Sequence, residues 1–232
     1  MELVHEARVT NFYLRHHATA RYKYTTSQAT QHQDPNFKKA LIEAYGCKSP
    51  TVESQLFCMG LGKFVSSKLV CAAHLFKYAW RMDLARVLGF QNINDPANGL
   101  MLIKPIEEAF DNGYLCIIWE GARGAGRSDG QYRMCWLGDA ELLMHDMKRY
   151  PWKSSAEKLP QELQEELRGL MNEDGRPLRF TDLDGKVLSF NTDARPYRRC
   201  LVFQARYAFN QALAEGRITQ QQLAEISPHL VS

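Results

Sequence analysis

The sequence has no apolar run long enough to cross a bilayer. The longest, around Tyr114–Trp119, falls far short of the ~20 residues a membrane helix needs. The first residues, Met1-Glu2-Leu3-Val4-His5-Glu6, carry acids where a secretion signal carries bases, and no apolar core follows them. Neither a membrane partner nor export by a signal is expected. The six cysteines (Cys47, Cys58, Cys71, Cys116, Cys135, Cys200) contain no C-x-x-C pair, which argues against a zinc ribbon or a redox motif. They read as reduced, mostly buried thiols of an intracellular protein, in cytoplasm or nucleus. No sign of charge prevails: 29 Lys and Arg against 26 Asp and Glu leave +3, so total charge does not announce a polyanion. There is no internal repeat and no low-complexity linker. What is there is ordinary globular composition, 45% hydrophobic and 24% charged, in 232 residues, enough for one generous core.

Local patterns sketch the order of elements. Ala20–Tyr24 alternates like a strand with one wet face, and Asn36–Tyr45 reads as a helix ended by Gly46. Gln131–Leu137 alternates again, Ala140–Tyr150 looks helical up to Pro151, and Pro160–Met171 is an acidic amphipathic helix built on Leu163, Leu167 and Leu170. Leu178–Phe180 and Val187–Phe190 flank an Asp182–Gly185 turn, which predicts a hairpin. A helix from about Arg198 to Ala214 and a shorter one from about Thr219, stopped by Ser227-Pro228, close the chain. The fold class is α+β, with residues 1–54 as an N-terminal extension, 55–120 as a core and 121–232 as a C-terminal α+β extension, packed as one unit.

One motif misleads. Gly121-Ala122-Arg123-Gly124-Ala125-Gly126-Arg127-Ser128 has the spacing of a phosphate loop, with Arg127 in place of the lysine. Such a loop needs a helix directly behind it to supply amide donors and a dipole, and here the strand pattern of Gln131–Trp136 follows. A hairpin loop whose arginines touch a nucleic-acid backbone fits better than a nucleotide site.

The chemistry-bearing stretch runs from Cys58 to Ile118. Val70-Cys71-Ala72-Ala73-His74 is an apolar strand ending in a histidine. After a variable loop, Asn98-Gly99-Leu100-Met101-Leu102 turns into a second strand, and Pro105 suits the first turn of a short helix through Phe110-Asp111. Strand, loop, strand and helix can bring His74, Asn98 and a helix residue together. Taken singly, His74 is equally a hydrogen-bonded core residue, Asn98-Gly99 a plain turn, and Glu107 and Glu108 solvated acids. His16-His17 has no partner at ligand spacing and reads as an exposed pair.

The ordered set Ala-Ala-His, Asn-Gly-Leu and Phe-Asp resembles the HNH endonucleases of the ββα-metal superfamily. The resemblance implies a ββα-metal core embedded in a larger unit with additional strands and C-terminal helices. It implies a hydrolase of nucleic-acid phosphodiester bonds, with nucleic acid, DNA first, as the expected partner and His74 as the general base that activates water. Asn98 would hold the hairpin loop and orient the His74 ring, and a divalent cation would stabilise the transition state. The family's metal-binding helix histidine is here Glu107, and the residue before His74 is Ala73. A carboxylate favours hard ions, so Mg²⁺ or Mn²⁺ is the expected cofactor, with Glu107 its ligand. The alternative is a catalytically degenerate HNH-fold module that binds nucleic acid or protein.

Residues 56–120 balance Lys63, Lys68, Lys77, Arg81, Arg86 and Lys104 against Asp83, Asp95, Glu107, Glu108, Asp111 and Glu120. A nucleic-acid footprint must therefore come from elsewhere. Arg123 and Arg127 in the glycine-rich loop are candidates. So are Arg198 and Arg199, in a stretch from 195 to 206 with four bases and no acid.

Overall fold

The computed structural model describes residues 35–121 and 130–226. The expected strand at Ala20–Tyr24, the stop at Ser227-Pro228, and Arg123 and Arg127 lie outside the described residues. Among the described residues no helix is long and apolar enough to cross a membrane.

Helix α1 (Pro35–Tyr45) buries Phe37, Leu41 and Tyr45, spaced by four so that they form one stripe, and ends as read at Gly46, whose φ is +61°. A hairpin of β1 (Gln55–Cys58) and β2 (Lys63–Ser66) follows. Strand β3 (Val70–His74) then pairs antiparallel with β4 (Gly99–Ile103) in a register that sets Val70 opposite Ile103 and His74 opposite Gly99. The intervening loop holds a 3₁₀ turn (Tyr78–Asp83) and the short α2 (Leu84–Leu88). Helix α3 (Lys104–Asp111) leaves β4 without a linker, with Pro105 in its first turn, where a missing N–H costs nothing. The strand–loop–strand–helix order is the ββα unit the sequence implied.

Behind α3, β5 (Leu115–Glu120) and β6 (Gln131–Trp136) form a further antiparallel pair. Helix α4 (Gln161–Arg168) is shorter than its pattern, stopping at Gly169 with Leu163 and Leu167 buried. Helix α5 (Arg198–Ala214) has the bounds read from the sequence and packs on β5; α6 (Gln220–Ile226) follows. The main apolar core runs through residues from Phe37 to Phe203, and a second cluster around Cys116, Ile118 and Phe209 lies between β5 and α5.

Two expected elements are replaced. Ala140–Tyr150 is not a helix: it forms turns and one 3₁₀ turn (Met147–Arg149). Leu142 and Met144 alternate inward, and their backbone bonds go to Phe180 and Leu178, so strand-like pairing outcompetes helix propensity. The 178–190 hairpin does not form either. Phe180–Leu183 is a 3₁₀ turn, and the second arm lies along β6, where Met134 N–H donates to Lys186 O (2.8 Å) and Leu188 N–H to Tyr132 O (2.8 Å). Each arm finds a partner from another element before it can find its neighbour.

Candidate active site

His74 is the last residue of β3, and the loop that follows it is shaped by Asn98. This asparagine is fully buried. Its Oδ1 accepts from Phe76 N–H (2.9 Å), and its Nδ2 donates to Ile93 O (2.9 Å) and Phe76 O (3.3 Å). Its carbonyl accepts from Leu75 N–H (2.9 Å). The amide is thus spent on backbone groups at both ends of the loop. The expectation that Asn98 orients the His74 ring is corrected: Asn94 does so, with Oδ1 3.1 Å from Nε2. An amide oxygen only accepts, so in this contact Nε2 is the donor. Nothing in the spacing of Asn92-Ile93-Asn94 singles Asn94 out. The opposite contact is aromatic, since Phe37 of α1 stacks on the half-buried His74 ring at 3.9 Å and 13°.

Helix α3 carries the acids, and the solvated reading of Glu107 and Glu108 does not hold: they are 7% and 3% exposed. Glu108 is an anchor. Its Oε1 accepts from Ser155 N–H (2.8 Å) and Ser155 Oγ (2.6 Å), and its Oε2 from Ser154 Oγ, which fastens α3 to the 154–155 segment. Glu107 instead meets the ammonium of Lys104 at 2.8 Å. Asp111 lies one turn further along the same face. Burial, and then the charge of Asp111, push the Glu107 carboxyl up to about 7 against the pull of Lys104. Burial also raises Asp111, against Lys77 and Lys104. Burial alone would lower Lys104, but the Glu107 charge beside it leaves its proton held more tightly than usual.

The two parts of the site approach β3 from different sides. The Glu107 charge acts on Cys71, whose thiol is pushed up by burial first and by Glu107 second. Cys71 and His74 differ in parity along the strand and so point to opposite faces. His74 belongs to the α1 side and the carboxylates to the α3 side.

The donor set decides which ion could be held. Among the described residues no group of three or more His, Cys, Asp or Glu side chains could hold a metal, so a zinc-type cage of protein ligands does not fit. Magnesium and manganese are commonly bound through one or two carboxylates, with water and phosphate oxygens completing the shell. Glu107 and Asp111 fit that pattern; Asp111 was not singled out by the sequence.

The raised Glu107 carboxyl has a consequence for stability. Its neutral form is favoured in the fold, so its contribution is complete below the ordinary carboxylate value near 4.5 and is lost as pH rises through about 7. With EDTA present, the stability of wild type relative to Glu107→Gln is expected to fall steadily between pH 4.5 and 7. Thermal melts at four pH values check this, and a constant difference would refute it.

The basic candidates are partly placed. The Arg198 guanidinium lies 3.3 Å from the centre of the Trp119 ring, and Arg199 stacks on Phe90 (4.9 Å) and Tyr197 (4.8 Å). A Cβ at Gly121 would stand 2.3 Å from the Trp119 indole and one at Gly130 2.5 Å from it. The indole thus lies beside Gly121, Gly130 and the first residue of α5.

No curated protein and no solved structure is matched by this chain. Residues 47–118, a stretch that takes in the whole ββα unit and leaves out α1 and α5, match the family model described as HNH endonuclease.

Proposed function

We propose that this protein hydrolyses phosphodiester bonds in nucleic acid, DNA first among them, with His74 as general base. The observation that carries this reading is the Nε2–Asn94 Oδ1 contact (3.1 Å) that holds His74 at the end of β3 within an HNH-matching segment. Nδ1 then takes a proton from water, the water oxygen bonds to phosphorus, and the ester oxygen leaves and is protonated from solvent. Asn98 keeps the loop after His74 in shape so that the ring stays where Asn94 can hold it. Glu107 and Asp111 would hold Mg²⁺ or Mn²⁺ on the α3 side of β3, where the ion would supply charge neutralisation to the bound backbone.

Binding rests on the arginines: Arg198 and Arg199, together with Arg123 and Arg127, neutralise backbone phosphates. Reversing charge at Arg198 and Arg199 is expected to weaken DNA binding about equally for all sequences. It should also flatten the log–log salt dependence by about one unit per lost contact. Fluorescence titration at several salt concentrations reads the slope, and an unchanged slope would return both residues to a packing role on their rings.

Nicking of a supercoiled plasmid with Mg²⁺, Mn²⁺ or EDTA tests the activity itself. The expected result is nicking with either ion and none with EDTA. DNA binding without nicking under any ion would make the protein a degenerate HNH-fold binding module instead.

A further inference from the structure

We infer that Phe37, on a helix outside the HNH-matching segment, is a positioning residue for the His74 base. The inference rests on the hydrolytic reading above and deepens it. Three observations meet at this point. Phe37 is 1% exposed, and its ring lies parallel to the imidazole at 3.9 Å and 13°. Gly99 stands directly opposite His74 in the β3–β4 ladder. A Cβ at Gly99 would fall 2.4 Å from Phe37 Cζ and 3.0 Å from both Leu41 methyls. The glycine of the Asn-Gly pair therefore does more than permit a turn, because it vacates the space into which α1 sets an aromatic ring against the base. With Asn94 holding the ring edge and Phe37 covering one face, the imidazole has a fixed plane.

The stack also discriminates between charge states. The face of a phenyl ring is electron-rich and attracts a cation more than a neutral ring. When Nδ1 takes the proton of the attacking water, the imidazolium that forms is held better than the imidazole it came from. An interaction that grows along the reaction raises kcat, whereas one that is equal in both states affects only binding.

The test combines kinetics with NMR of the histidine ring in the full chain. Phe37→Leu should lower kcat for nicking about three- to tenfold with KM nearly unchanged. The His74 ring protons should lose the upfield displacement that a stacked ring imposes. Gly99→Ala, which touches neither stacked residue covalently, should move both readouts the same way by driving Phe37 off the imidazole. If Phe37→Leu does not fold, Phe37→Met keeps more of the volume without the ring and takes its place. Unchanged kcat, a change in KM alone, or unmoved His74 resonances in a folded variant would overturn the inference. Should wild type fail to nick, the hydrolytic reading falls, and the ring resonances alone decide whether Phe37 fixes His74.

Discussion

His74→Ala is expected to reduce plasmid nicking by ~10²–10⁴-fold, the range that a positioned general base contributes. DNA affinity and thermal stability should stay close to wild type. The ring is half-buried at the end of a strand, and its fixed partners, the Asn94 amide and the Phe37 face, hold it without leaning on it for the core. Single-turnover nicking beside a denaturation curve separates the two quantities. A variant that loses the fold would reassign His74 to the core, and one that still nicks at the wild-type rate would end its role as base.

Asn98→Ala should act in the opposite manner, on stability first. It strips the bonded partner from Phe76 N–H, Phe76 O and Ile93 O at a fully buried position. Each buried polar group left unsatisfied costs about 1–3 kcal/mol, and partial rescue by water brings the expected total to about 2–5 kcal/mol. Urea denaturation measures it. Asn98→Asp should not rescue, since a carboxylate can accept from Phe76 N–H but would face two carbonyl oxygens with negative charge. A loss below about 0.5 kcal/mol for the alanine variant would mean that the loop is held by something else.

How much of this was legible in the sequence follows from the range of the interactions. The ββα unit could be read because its signals are local: an apolar strand ending at His74, the Asn-Gly entry to β4, and Pro105 in the first turn of α3. The bounds of α5 were equally plain from periodicity. The partners of these residues were not legible. Asn94 lies 20 residues from His74 and Phe37 lies 37 before it, on a helix that the sequence showed only as a helix. Glu107 and Glu108 are adjacent and chemically alike, yet one meets Lys104 and the other two serines 46 and 47 residues away. The 178–190 segment misled for the same reason: its turn chemistry was sound, but both arms had better partners elsewhere.

The two fastenings of α3 bear on how the molecule breathes. Glu108 is tied to Ser154 and Ser155, while the fully buried Gln204 of α5 donates to Phe110 O (3.2 Å) and Leu115 O (3.1 Å), at the exit from the helix. An eight-residue helix has little cooperativity of its own. Its amides are expected to exchange with solvent only when the 154–155 segment and α5 let go with it, so that these three stretches of chain, distant in sequence, open as one unit. The helix that carries Glu107 and Asp111 is then expected to be among the last parts of the protein to melt, its carboxylates in register until the whole unit opens.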